Sequence, residues 1–344
     1  MAYTTINKST EHFNTKLYTG TGSNQSLTGV GFQPDLIWWK CRNSGKNHGW
    51  SDSVRGNTKR IQSNASSVET TGTDYIQSFN SDGTTIGSNG NINSNGDTFC
   101  LWNWKANGQG SSNTAGSINT TYTSVNTTAG FSISTYTGNG YAGATVGHGL
   151  GAVPKMIIVK RLNSVDNWRV YHASLGATKY LDLNGTGATN TSSTRWNDTE
   201  PTSSVFTIGN NTSVNASAST YVAYCFAEKQ GYSKFGSYLG NGNAEGTFVY
   251  TGFKPAFVIC KQSSSSGDWE LYDNKRNGFN NGNVRVYPNA SDAEGGTGRL
   301  SLLSNGFKIT TSSGNLNGSG NSFIYMAFAE APLVGTNNIP CTAR

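Results

Sequence analysis

Residues 18–40 read YTGTGSNQSLTGVGFQPDLIWWK, and the chain repeats this statement twice, as YTGNGYAGATVGHGLGAVPKMIIVK at 136–160 and YLGNGNAEGTFVYTGFKPAFVICK at 238–261. Each copy runs from a tyrosine through a Gly-rich turn to a proline, an apolar run and a lysine. The lysine follows the proline by six residues every time, as Pro34 to Lys40, Pro154 to Lys160 and Pro255 to Lys261. A tryptophan comes eight to ten residues later, at Trp50, Trp168 and Trp269. Further landmarks recur downstream: SDGTTI, SSVFTI and SNGFKI, then the aromatic-rich runs CLWNWKA, AYCFAE and YMAFAE. Self-similarity at a period of roughly a hundred residues marks an array of one supersecondary unit, so the unit decides the fold.

The apolar runs are short, rich in aromatic and β-branched residues and bounded by Gly, Asn and Ser, which reads as strands and tight turns. No window sustains apolar residues at helical spacing. The expected fold is therefore all-β, with three tandem antiparallel β-sandwich units of jelly-roll or lectin-like kind. The boundaries follow from the repeats: an arm at 1–12, units at 13–106, 131–229 and 230–331, a flexible Gly/Ser/Thr/Asn-rich linker at 107–130, and a tail at 332–344. The linker lets the first unit sit apart, whereas the second and third follow almost without a gap and should touch. The strand after each proline is nearly continuous in apolar residues and should be central.

Of the 344 residues, 34% are apolar and 13% charged, yet eight Trp, sixteen Tyr and fifteen Phe argue for packed interiors rather than disorder. The net charge of +6 divides evenly: nine basic and seven acidic residues in 1–106, seven and five in 107–230, nine and seven in 231–344. Such dispersal argues against a phosphate-tracking groove and hence against nucleic acid as a partner. No segment has the apolar length of a membrane helix, and the amino terminus lacks the apolar core of a secretory signal. Five cysteines, an odd number without a CxxC pair, read as free thiols.

Candidate chemistry is sparse. Lys40, Lys160 and Lys261 read as strand-end residues whose stems cover apolar surface and whose heads reach solvent. Trp50, Trp168 and Trp269 are candidate sugar-stacking platforms, since an indole suits a pyranose face, although a repeated tryptophan also suits a core. Trp38 and Trp39 point to opposite faces of one strand, so one must leave the main core for a neighbouring layer or for solvent. With Tyr3 and Ile6 of the arm, which could order along a neighbouring subunit, they are the interface candidates. Asp52, Asp166, Asp268 and Asp273 lie near the tryptophans, but no spacing enforces a catalytic carboxylate pair. The four scattered histidines suggest neither a zinc site nor a triad, and DNKRNG and NSNGD read as turns rather than calcium loops. The expectation is a protein without catalytic residues, metal or cofactor, acting by contact.

The opening MAYTTINKSTEHFNTKLYTGTG, with GVGFQPDLIWWKCR, SDSVRG and CLWNWKA, resembles a family of structural proteins of tailed phages that infect marine bacteria. The third copy, with GTFVYTGFKPAFVICKQ, WELYDNKRNGFN, SNGFKI and IYMAFAEAP, and the ending NNIPCTAR are similar to the same family's carboxy-terminal part, so the resemblance spans essentially the whole chain. It implies a virion surface component, either a capsid decoration or a tail accessory of fibre-like kind, assembled in the host cytoplasm and released by lysis. The implied partners are other virion proteins, in a homo-oligomeric arrangement, with weak multivalent contact to host glycans as an added expectation. The alternative is a carbohydrate-binding adhesin or polysaccharide depolymerase of a tail fibre or spike. The resemblance supplies no catalytic residues.

Overall fold

Each apolar strand that follows a repeat proline is buried on both of its faces, and the architecture follows from how the chain covers the two sides. The computed structural model describes residues 3–276, 284–296, 298–337 and 339–340. The protein is all-β and built from several antiparallel sheets. In the first repeat, strands Phe13–Thr19, Thr98–Trp104, Leu36–Cys41 and Gly49–Asp52 hydrogen-bond in that order. In the third repeat, Ser233–Leu239, Ser322–Pro332, Phe253–Gln262 and Trp269–Asp273 repeat the order. The second repeat uses it again with Phe131–Thr137, Thr220–Ala227, Pro154–Arg161 and Arg169–His172, then extends the sheet at both edges. A smaller sheet accompanies each large one, pairing Gln25–Thr28 with Gly83–Ile86, Ala144–Gly147 with Val205–Ile208, and Phe248–Tyr250 with Gly306–Ile309.

One side of each large sheet packs on its own small sheet, and the other sides of all three meet in a common core. Ile37, Trp39 and Leu101 lie in the first local core, Ile157, Val159 and Ala223 in the second, Val258, Cys260 and Ala327 in the third. Trp38, Trp102, Ile158, Tyr224, Ile259 and Met326 alternate with them and enter the shared core. Burial on both faces explains why these strands read as unbroken apolar runs rather than alternating ones. The first repeat therefore does not sit apart: Phe13 lies 5.3 Å from Phe257, and Trp50 lies 5.2 Å from Trp168, centroid to centroid. Nor is 107–130 simply a linker. Tyr122–Asn126 forms a strand on the edge of Phe131–Thr137, and Ser111 and Ile118 bridge to Thr123 and Val146.

The repeated tyrosine and glycine have a local reason. Tyr18, Tyr136 and Tyr238 each donate a hydroxyl to the carbonyl of Ile92, Val214 or Leu316, at 2.5, 2.7 and 2.8 Å. Those residues sit in four-residue helical turns, Gly90–Asn93, Thr212–Asn215 and Gly314–Asn317, that lead into the last strand of each repeat. The turn's final asparagine is fully buried, and its amide ties the turn both to the Gly-rich loop, at Ser23, Tyr141 and Asn243, and to the segment after the small-sheet strand, at Gly87, Gly209 and Thr311. Gly20, Gly138 and Gly240 allow this approach, because a Cβ there would stand 2.1, 2.4 and 2.3 Å from the backbone oxygen of Ser94, Ala216 or Gly318, the residue that follows the turn. The stretch NSNGD, with Asn93 at its head, is thus a structural clasp. The four described cysteines, Cys41, Cys100, Cys225 and Cys260, are buried and free, while Cys341 lies outside the described residues.

Candidate functional site

The strand registers place Lys40, Lys160 and Lys261 at one equivalent position, opposite Cys100, Val222 and Ile324 in the terminal strands. Two residues earlier, Trp38, Ile158 and Ile259 face Trp50, Val170 and Leu271 across the next strand. Trp50 is therefore the counterpart of Val170 and Leu271. The residue that matches Trp168 and Trp269 is His48: the backbone N–H groups of all three donate to an equivalent asparagine, Asn64, Asn184 and Asn289. The tryptophan spacing of eight to ten residues conceals this two-residue offset.

That shared position builds a contact between successive repeats. Trp168 Nε1 donates to Gln62 O at 2.9 Å and Ala65 O at 3.1 Å in the first repeat, and Trp269 Nε1 donates to Asp182 O at 2.9 Å in the second. The His48 ring turns toward the backbone of Tyr287 in the third repeat, short of a full hydrogen bond, and its Nδ1 accepts from Trp38 Nε1 at 2.8 Å. The three contacts close a ring: second on first, third on second, first on third.

The strand after each lysine ends in a second ring of contacts. Asp52 accepts from Arg55 Nε at 2.6 Å and from Tyr224 OH at 2.7 Å, joining the first repeat to the second. Asp273 accepts from Arg276 Nε at 2.5 Å and from Trp102 Nε1 at 3.0 Å, joining the third to the first. Burial would raise the Asp273 carboxyl, but the Arg276 guanidinium outweighs it and holds it below its ordinary value. In the second repeat the same position is His172, whose Nε2 donates to Tyr325 O at 3.2 Å while Nδ1 accepts from Ser174 N at 3.2 Å. Leu175 stands where Arg55 and Arg276 stand in the other two. Burial pushes His172 down to about 4, so the ring is neutral near pH 7.

The lysines are buried, not strand ends with their heads in solvent. Lys160 Nζ donates to Ser66 O at 3.2 Å and Asp166 O at 3.0 Å, and Lys261 Nζ to Thr186 O at 3.2 Å and Gln262 O at 2.7 Å, so each clamps a loop of the preceding repeat. Lys40 Nζ donates to Cys41 O at 2.7 Å and Ser44 O at 3.2 Å. Desolvation lowers all three to about 8.

The placements correct the sequence reading of the aromatic candidates. Trp50, Trp168 and Trp269 are at most 1% exposed and offer no face to a sugar. Trp38 and Trp39 do point to opposite sides, as one strand requires, but Trp38 enters the shared core and Trp39 the first local core. Both are covered within the chain. The arm likewise lies on its own chain: Tyr3 OH donates to Gly252 O at 2.8 Å, and Ile6 is buried in the shared core. Asp52 and Asp273 are held by arginine, and Asp268 by Asn289 at 2.8 Å and Asn315 at 3.4 Å. Among the described residues no group of three His, Cys, Asp or Glu side chains could hold a metal ion.

A groove of about 360 Å³ is lined by residues of the second and third repeats. Leu175, Lys179 and Thr189 line one wall, and Ser237, Leu239 and Ile324 the other. A family profile matches residues 8–332 and so spans all three repeats. The chain belongs to the DUF7483 family. That family is described as a domain of unknown function. No curated protein and no solved structure matches the chain.

Proposed function

We propose that this DUF7483 chain is a virion surface structural protein of a tailed phage, a capsid decoration or tail accessory that acts by protein–protein contact. In this reading the chain is three antiparallel sandwich units closed around one axis. The observation that carries the contact role is where the repeated groups go. Lys160 and Lys261, the Asp or His that ends the next strand, and Trp168 and Trp269 are engaged at seams between repeats, while Lys40 is buried on carbonyls of its own repeat. None is left facing a cleft as catalysis would require. A ring of three like units in a single chain suits a seat on a threefold feature of a larger assembly, where each unit meets a similar neighbour. Other virion proteins are then its partners, and any host-glycan contact would use surface other than the buried tryptophans.

The reading is tested on purified particles. Peptide mass spectrometry should find the chain in the virion at fixed stoichiometry, and cryo-electron microscopy with a labelled antibody should show it at the particle surface. Absence from particles, or reproducible cleavage of a polysaccharide by the purified protein, would overturn it.

A further inference from the structure

The seam between the first and second repeats is filled by the chain itself. Tyr122–Asn126 adds antiparallel to Phe131–Thr137, with Tyr122 opposite Thr135, Ser124 opposite Ile133 and Asn126 opposite Phe131. In the third repeat the equivalent strand is Ser233–Leu239. Phe131 and Ser233 both begin the pairing, opposite Phe226 and Phe328, so Thr135, Ile133 and Phe131 correspond to Ser237, Phe235 and Ser233. Ser233–Leu239 is the edge of its sheet.

Alternation fixes which backbone groups point outward. Ala329 N donates to Tyr232 O and Gly240 N to Asn321 O, so even-numbered residues between them bond inward and odd-numbered ones face the edge. Three outward groups are met locally: Ser233 N by Lys229 O at 2.9 Å, Phe235 N by the Glu228 carboxylate at 3.3 Å, and Leu239 O by Thr247 Oγ1 at 2.7 Å. The Ser237 N–H and C=O are left facing outward. Ser237 is exposed, Leu239 is 63% exposed, and the 360 Å³ groove lies beside them. Leu175, shorter than the arginine at the matching place in the other repeats, leaves that space open.

We propose that this edge is a strand-addition site for an extended segment of a partner protein. The segment has the chemistry of Tyr122–Asn126: an aromatic residue followed by two hydroxyl residues, a β-branched residue and an amide. Its backbone pairs with Ser237 and Phe235, displacing the Glu228 carboxylate, and its aromatic ring enters the groove against Leu175 and Ile324. The chain's own strand on the related edge shows that this seam geometry accepts such a segment, and main-chain pairing on an exposed edge is a general mode of peptide recognition. The inference concerns one edge and does not depend on a virion location.

The probe is a fluorescein-labelled peptide of residues 120–128, TTYTSVNTT, titrated into the full chain by anisotropy. Saturable binding is expected. Ser237→Pro, which removes an outward N–H at an edge position where proline is tolerated, should weaken it about tenfold or more. Glu228→Gln should tighten it, and a peptide with Tyr122→Ala should bind less well. Peptide-dependent slowing of hydrogen exchange at residues 233–239 of the unaltered chain decides the matter if Ser237→Pro misfolds. Equal binding by wild type and folded Ser237→Pro, protection confined to other strands, or no binding up to the peptide's solubility limit would overturn the proposal.

Discussion

His172 should make the stability of this protein acid-sensitive by an amount that can be isolated. The ring is fully buried, donates from Nε2 to Tyr325 O across the seam and accepts from Ser174 N at Nδ1. A second proton would have to go on Nδ1, where it would meet an N–H and turn a bond into a clash. Burial accordingly lowers the group from 6.5 to about 4. A base depressed in the folded state binds fewer protons there than in the unfolded chain, so its stabilising contribution is present above pH 6.5 and is lost as pH falls through about 4. At about 1.4 kcal/mol per pH unit, the loss between pH 7 and pH 4 is about 3 kcal/mol. His172→Gln removes the titration and keeps an amide donor for the Tyr325 carbonyl. Urea unfolding of both proteins at pH 7, 6, 5 and 4 should show the wild-type advantage shrinking by about 3 kcal/mol over the series. His48 and His148, also lowered by burial, are present in both chains and cancel in the difference. A difference that stays constant with pH would refute the reasoning, because it would mean that the folded and unfolded chains protonate this ring alike.

Lys160→Met should destabilise the fold by about 2 kcal/mol at pH 7, since it strips the buried ammonium donor from two partly buried carbonyls. With the folded lysine at about 8 rather than 10.5, the wild type binds fewer protons than its unfolded chain between those values, so its margin over the variant should widen as pH rises through that window in urea melts. Gly49→Ala should cost about 1–3 kcal/mol, because the new Cβ would stand 2.0 Å from Cζ2 of Trp39, and a melting-temperature series with Trp39→Leu should recover part of the loss.

The repeats, the strands and their all-β character were legible because period-two geometry and turn residues leave marks in a single sequence. The apolar runs after Pro34, Pro154 and Pro255 announced strands covered on both sides. The identity of the cover was not legible, since an indole buried by a second sheet and one buried by a neighbouring repeat look the same as letters. Trp38 and Trp39 illustrate the limit: opposite faces follow from one strand's geometry, but two cores within one chain do not. The His48 equivalence was hidden by Trp50, two residues on, which satisfies the eye at nearly the right spacing. A signal was available in Asn64, Asn184 and Asn289, sixteen, sixteen and twenty residues beyond His48, Trp168 and Trp269, where the same backbone N–H is met each time. The composition of 107–130 suggested a linker, and it was overridden by tertiary context: Val125 packs on the second local core and Tyr122 on the shared one. The lysines misled because a lysine at a strand end is ordinarily exposed, whereas here closing the ring removes the solvent.

Divergence among the copies has a physical consequence that three identical repeats would lack. All three seams use one plan, yet each is chemically distinct: Asp52 with Arg55 and Tyr224, His172 with Leu175 and the Tyr325 carbonyl, Asp273 with Arg276 and Trp102. Reversing the order would bring His172 against Trp102, two donors with no carboxylate between them, and would leave an arginine–aspartate pair without its hydroxyl or indole partner. Such mismatches favour one order of closure over the alternatives, as unpaired buried polar groups do at specific interfaces. The asymmetry also singles out one seam. Where the arginine is replaced by Leu175, the ion pair is lost, a neutral histidine holds the contact, and the groove beside Ser237 stays open. The seam with the weakest polar closure thus keeps an unpaired strand edge at Ser233–Leu239, as the first sheet keeps one at Phe13–Thr19.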